Sequence, residues 1–139
     1  MTTNEIGNKM TAAWNSGDIQ RIGDRYATAA VMHHPLVPAP LEGRAAIIGF
    51  EGGMFSAFSE LDWRCLNIVG NDRELALEFQ VTARNTAAMQ TPKGPVPATN
   101  RTITLRGVSL VKLDGDGRIL EERRYFDSGS LFVQLGLAG

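Results

Sequence analysis

The stretch Glu74-Leu75-Ala76-Leu77-Glu78-Phe79-Gln80-Val81-Thr82-Ala83-Arg84 decides the fold. Leu75, Leu77, Phe79, Val81 and Ala83 recur at every second position. Glu78, Gln80, Thr82 and Arg84 fill the positions between them. Side chains alternate across a strand, so this run predicts one apolar and one polar face, as in an antiparallel sheet covered on one side. Just upstream, Leu61, Trp63, Cys65, Asn67 and Val69 give a second strand, joined to the first by a Gly70-Asn71-Asp72-Arg73 turn. Downstream, Ile103, Leu105, Gly107, Ser109, Val111 and Leu113 repeat the pattern. Asp114-Gly115-Asp116-Gly117 then turns into a last strand from Arg118 to Asp127. A short helix closes the chain after Asp127.

Upstream of residue 60 the period is helical. Thr2 and Glu5 have the spacing of a capping box, and Ile6, Met10, Ala13 and Trp14 share one helical face. Asp18 is placed to cap a second helix with Ile19, Ile22 and Tyr26 as its apolar stripe. Gly23 lies within that helix, where glycine is costly. Ala30 to His34 reads as a short extended piece, because Pro35 pushes His34 toward extended geometry. A third helix follows Gly43, lined by Ile47, Phe50, Met54 and Phe58. Helices first and antiparallel strands after them predict an α+β fold in one domain spanning 1–139. Three N-terminal helices would pack on a curved, mainly antiparallel sheet and enclose a pocket. The outer face of that sheet, around Glu78, Gln80 and Thr82, is the expected contact of a homodimer.

Composition narrows the function classes. Of 139 residues, 14 are basic and 15 acidic, for a net charge of −1, which gives no basic footprint for nucleic acid. One cysteine, Cys65, excludes an internal disulfide, and with only two histidines a Cys/His zinc site is not expected. No apolar run approaches the roughly 20 residues that span a bilayer. The opening Met1-Thr2-Thr3-Asn4-Glu5 lacks the features of a secretory signal. The expectation is a cytoplasmic protein acting on a small molecule, with no metal. Asp114-Gly115-Asp116-Gly117 lacks the remaining ligands of a calcium loop and reads as a hairpin turn.

Three runs carry a resemblance to a known group. They are Gly17-Asp18-Ile19 through Tyr26-Ala27 to Pro35, then Gly43-Arg44 with Ile47 and Phe50, and finally Gly117-Arg118-Ile119 through Tyr125-Phe126-Asp127 to Gln134-Leu135-Gly136. Together they resemble the nuclear transport factor two-like superfamily, a cone-shaped α+β fold. The C-terminal run is most similar to SnoaL-like polyketide cyclases, and Pro97-Ala98-Thr99-Asn100-Arg101 is similar to a segment common there. The resemblance implies a cofactor-independent cyclase or isomerase that moves protons on an apolar, cyclic or polyketide-derived molecule. It implies that Asp127, ending the last strand, is the general acid/base.

In the related ketosteroid isomerases the base precedes the matched proline, which here places His34 in that role. Tyr125 would steady a developing oxyanion, and Tyr26, Trp14, Trp63 and His33 would bind substrate. Neighbours on a strand face opposite ways, so only one of His33 and His34 can enter the pocket. The isomerase tyrosine and aspartic acid that bind the oxyanion fall at Met10 and near Ser109, so a steroid isomerase mechanism is not supported. Limonene-type epoxide hydrolases are a second resemblance, with Asp127 activating water. Their Arg-x-Asp has no match at Glu78-Phe79-Gln80 or Arg84-Asn85-Thr86. A non-catalytic binding module is the third reading, since one fold serves many functions. Asp127 also stands where an aspartate caps the closing helix.

Overall fold

The computed structural model describes residues 1–91 and 93–137. Helix α1, Thr3–Asn15, opens with the expected capping box, in which Thr2 and Glu5 exchange side-chain to backbone bonds at 3.1 Å. Its Ile6, Met10, Ala13 and Trp14 are buried. Helix α2 is a single turn, Ile19–Gly23, capped by Asp18, whose Oδ1 accepts from the Gln20 N–H at 2.9 Å. Gly23 has a packing reason: a Cβ there would lie 2.4 Å from Ile48 Cδ1, so a larger residue would have to displace the Ile48 side chain of the third helix.

Tyr26 is not on that helix. It begins β1, Tyr26–His33, which is longer than the predicted Ala30–His34 piece. Backbone pairing drives the extension. The Ile119 N–H donates to Arg25 O at 2.7 Å, and the Arg44 guanidinium clasps Tyr26 O at 2.7 and 2.9 Å. Strand β2, Leu41–Glu42, leads into α3, Arg44–Ala57. The meander then follows as β3, Phe58–Gly70; β4, Glu74–Asn85; β7, Thr102–Leu113; and β8, Ile119–Phe126. Between β4 and β7 lies a separate small hairpin, β5 Met89–Thr91 and β6 Gly94–Val96. Helix α4, Ser128–Leu135, closes the fold.

The main sheet runs β2-β1-β8-β7-β4-β3, antiparallel except for the parallel pair of β1 and β8. Strand β4 behaves as its alternation predicts. Leu75, Leu77, Phe79 and Ala83 are buried, while Thr82 meets Thr104, and Gln80 accepts from Arg106, on the outer face. Strand β3 departs from its predicted face. A bulge between Cys65 and Asn67 reverses the parity, so Ile68 packs into the core and Val69 is exposed.

The hairpin base is pinned by Asn85. Its buried amide donates to Ala57 O at 3.0 Å and Ala87 O at 3.1 Å, and its Oδ1 accepts from the Thr99 N–H at 2.8 Å. One apolar cluster lies under α1 and a second lies between α4, β7 and Met89. Among the described residues no helix is long and apolar enough to cross a membrane.

Candidate active site

Helices α1, α3 and α4 and the inner faces of β3, β4, β7 and β8 enclose a cavity of about 120 Å³. Its apolar wall is built around a row of near-parallel rings. Phe55 stacks on Trp14 at 5.4 Å between centroids, Trp14 on Trp63 at 6.2 Å, and Trp63 on Phe79 at 6.1 Å. Gly107 makes room for the last of these rings, since a Cβ there would meet Phe79 Cζ at 2.6 Å. Trp14 and Trp63 are therefore part of the cavity wall.

Polar groups enter at one place. Glu51 on α3, Ser109 on β7, and Glu122 and Arg124 on β8 line the cavity together with His34. Arg124 bridges the two carboxylates. Its Nη1 donates to Glu51 Oε1 at 2.6 Å, and its Nε and Nη2 donate to Glu122 Oε2 at 3.0 Å. Glu122 also accepts from Ser109 at 2.7 Å and from the Tyr26 hydroxyl at 2.5 Å. The Arg124 guanidinium lies 5.1 Å from the centre of the Trp14 ring, close enough for a cation–π contact. Buried charges persist when they are paired and hydrogen-bonded, and these are.

The consequences for ionisation differ by residue. Burial works against the Arg124 charge, but Glu122 and Glu51 outweigh it and hold the guanidinium more firmly protonated than usual. Burial raises Glu51 above the ordinary carboxylate range, with Arg124 opposing. Burial and the neighbouring Glu122 carboxylate raise Tyr26 well above its ordinary value, so it remains a donor. Two carboxylates share one guanidinium, which leaves a formal charge of −1, and burial makes Glu51 readier to take a proton than an ordinary carboxylate.

His34 is 7 % exposed, and its ring meets Phe50 and Phe126 edge-on at 4.6 and 5.4 Å. Its Nδ1 accepts from the Leu36 N–H at 3.1 Å, which puts the ring proton on Nε2. Burial, then the Arg124 charge, lowers its pKa from 6.5 to about 3. His34 is thus neutral at pH 7, and a donor rather than the near-neutral base that its position before Pro35 suggested.

Because its pKa is depressed in the folded chain, His34 contributes stability that is complete above pH 6.5 and is lost as the pH falls toward 3. Over that window the wild type should lose on the order of 4 kcal/mol more than His34→Gln. Urea unfolding at stepped pH measures the difference.

Asp127 and Tyr125 do not line the cavity. Both are exposed, Tyr125 by 55 %. The cause is a bulge in β8. Leu113 pairs with Ile119 but Lys112 pairs with Glu121, so Leu120 is an extra residue and every later side chain changes face. Glu122, Arg124 and Phe126 point inward as a result. The Asp127 carboxylate accepts from the Ser130 N–H at 3.0 Å and caps α4. Asp127→Ala should therefore cost about 1 kcal/mol of stability, and Asp127→Asn almost nothing, by thermal unfolding.

Tyr26 is wholly buried behind Glu122 rather than on the cavity wall. His33 is half-buried and pairs with Arg123 on β8, on the face opposite His34. Glu51 went unnoticed in the sequence, although it stands four residues after Ile47 on the apolar stripe of α3. A carboxylate on a core stripe is the signal that identifies it.

Among the described residues no group of three or more His, Cys, Asp or Glu is arranged to hold a metal ion. The ionisable side chains that the cavity wall offers are the carboxyl groups of Glu51 and Glu122, the neutral imidazole of His34 and the Arg124 guanidinium. Glu51 Oε2 and His34 Nε2 carry no hydrogen bond to the described residues, as is true of the indole N–H groups of Trp14 and Trp63 in the same wall, and neither Glu51 Oε2 nor His34 Nε2 is sealed from the cavity.

Residues 8–122 match the SnoaL-like domain. No curated protein matches the chain. Solved structures similar to it include a candidate SnoaL-like polyketide cyclase from Jannaschia sp. CCS1, 16 % identical with a TM-score of 0.80 over 98 % of this chain and 92 % of that one. A protein of ketosteroid isomerase-like fold from Catenulispora acidiphila, in complex with trimethylamine, is 18 % identical with a TM-score of 0.78 over 99 % and 96 %. The epoxide hydrolase/cyclase-like enzyme SalBIII, from pyran ring formation in the polyether salinomycin, is 19 % identical with a TM-score of 0.71 over 91 % and 92 %. At these identities the likeness is one of fold.

Proposed function

The chain belongs to the SnoaL-like domain family, and from that premise we propose that it is a proton-transfer enzyme of the cyclase or isomerase type, with Glu51 as acid/base and His34 as hydrogen-bond donor. The observation that carries the reading is that a carboxylate oxygen and an imidazole nitrogen, Glu51 Oε2 and His34 Nε2, stand without a hydrogen bond to the described residues in a cavity with a largely apolar wall. Glu51 Oε2 would remove a proton from a carbon next to a carbonyl. The electron pair of the broken C–H bond moves to the carbonyl oxygen, and the His34 Nε2–H donates to that oxyanion. Glu51, now protonated, returns the proton to another carbon, which completes an isomerisation. A dry site and a carboxylate shifted toward neutrality both suit this step. Arg124 holds Glu51 Oε1, which leaves Oε2 as the atom that reacts.

The substrate scale follows from the volume. A cavity of 150 Å³ in another protein takes benzene. About 120 Å³ accommodates one small ring, rather than the fused polycycle that an aromatic wall alone suggests. The test needs no natural substrate. In deuterated water the protein should accelerate exchange of the α-protons of cyclohexanone, followed by NMR. A rate equal to buffer alone would remove the proposal.

Epoxide opening is a second reading, favoured by the carboxylate–guanidinium–carboxylate bridge of Glu51, Arg124 and Glu122. That reaction is served by two working carboxyl groups. Glu122 accepts from Tyr26, Ser109 and Arg124 and has less capacity left, so the single-carboxyl mechanism ranks first. Labelled oxygen from water appearing in product would reverse the ranking.

A further inference from the structure

The inner cavity abuts a second, larger space of about 460 Å³ between the C-terminal ends of α1 and α3 and the start of β3. Trp14, Phe55, Phe58 and Leu61 line both. Trp14 and Phe55 are stacked on each other at 5.4 Å, so two rings stand between the compartments.

From the wall that the two spaces share we infer that the outer groove binds the tail of the molecule whose ring occupies the cavity, and that this tail is a hydrogen-bond donor, a hydroxyl or an amine. The inference rests on the reading of the cavity as a substrate site and extends it to a substrate class: a small ring carrying a flexible, donor-tipped chain. The inner space alone is benzene-sized, while the outer space is several times larger and more polar.

Its polar groups set the sign of the preference. Ser16 donates its hydroxyl proton to Ala13 O at 2.7 Å, and Ser56 donates to Gly53 O at 2.8 Å. The Asn15 amide donates to Trp63 O at 2.8 Å while its Oδ1 accepts from the Trp63 N–H at 2.7 Å. Ser16 and Ser56 thus face a ligand as acceptors, while Asn15 and Ser59, which accepts from Thr86 at 3.0 Å, can serve as either donor or acceptor. Glu60 adds the one formal charge of the described lining.

Glu60 is also where the backbone is unusual. Its φ is +57°, a conformation a non-glycine residue rarely holds, at a register shift between Ser59 and Asp62. Bulges of this kind re-aim side chains beside binding sites. This one sets Leu61 in the wall shared with the cavity and Glu60 at the groove. Its contact with Arg84, at 3.8 Å between exposed groups, is weak and leaves the carboxylate available to a ligand.

Calorimetric titration of the intact protein with four probes tests this. Benzene reports the cavity alone. The six-carbon tails of 6-phenylhexan-1-ol, 6-phenylhexylamine and 6-phenylhexanoate report the groove. The alcohol and amine should bind at least about tenfold more tightly than benzene, and the carboxylate more weakly than either. Ser56→Tyr, which fills the groove, should remove the gain from the tail and leave benzene binding intact. Ser59→Tyr fills it from β3 and serves if Ser56→Tyr loses benzene binding by misfolding.

Benzene bound with no gain from any tail would overturn the groove while leaving the cavity reading in place. So would a gain that survives both groove-filling variants. A carboxylate that binds as tightly as the amine would overturn the donor preference. Binding of neither benzene nor the tailed probes would overturn both the groove and the cavity reading.

Discussion

Replacing Arg124 by leucine is expected to destabilise the protein by roughly 3–5 kcal/mol at pH 7, the usual consequence of removing one partner from a buried ion pair. Arg124 is the only cation among the polar groups that line the cavity in the described chain, and it serves both carboxylates. Without it Glu51 and Glu122 face each other's charge with side chains 4 % and 1 % exposed. Leucine fills much of the volume, so the loss would report charge rather than a void. The defect should shrink as the pH is lowered, because protonation removes the uncompensated charge. Arg124→Lys should recover only part of the stability, since an ammonium cannot reproduce the fork that reaches Glu51 and Glu122 at once. Urea unfolding at pH 7 and pH 5 measures all three effects. A loss below about 1 kcal/mol for leucine would mean that the polar cluster is not the strongly coupled unit described above.

The second large effect concerns rate. Glu51→Gln should reduce α-proton exchange of cyclohexanone by about 10²- to 10⁴-fold, the range that a positioned general base contributes. Glutamine keeps the shape and can still accept from Arg124 Nη1, so the loss should come without unfolding. The linkage sign gives a control. Glu51 has a raised folded pKa, so its contribution to stability is complete below the ordinary carboxylate value and is lost as the pH rises through the folded one. Glu51→Gln should remove that part of the pH dependence. A variant that is slow and also unstable at every pH would point to a structural role instead.

Much of the fold is legible because burial on one face forces a period. The alternation of Leu75, Leu77, Phe79 and Ala83 on β4 and of Ile103, Leu105, Ser109, Val111 and Leu113 on β7 survives intact into the sheet. The caps at Thr2 and Asp18 are local, so local sequence suffices to find them. The site is harder to see for one reason. Strand β8 begins Ile119-Leu120, two apolar residues in a row, and continues Glu121-Glu122-Arg123-Arg124 in like pairs. Either parity of that run reads equally well. The choice is made by the bulge at Leu120, which depends on pairing with β7 rather than on the residues of β8. One extra residue thus exchanges Asp127 and Tyr125 for Glu122, Arg124 and Phe126 on the inner face.

His34 is singled out in the sequence by its place before the matched Pro35, whereas strand alternation says only that one of His33 and His34 enters the pocket. Its low pKa was not visible, since the burying rings of Phe50 and Phe126 come from distant segments. Glu51 was visible in principle. Among the apolar residues of α3 it occupies a core position four residues beyond Ile47, and a carboxylate is rarely placed there without a partner.

The most direct measurement is a comparison of Glu51→Gln and Asp127→Asn in the same exchange assay, with both proteins folded. The account predicts that Asp127→Asn exchanges the α-protons of cyclohexanone at the wild-type rate and that Glu51→Gln falls toward the rate in buffer. Loss of exchange in Asp127→Asn with retention in Glu51→Gln would contradict it.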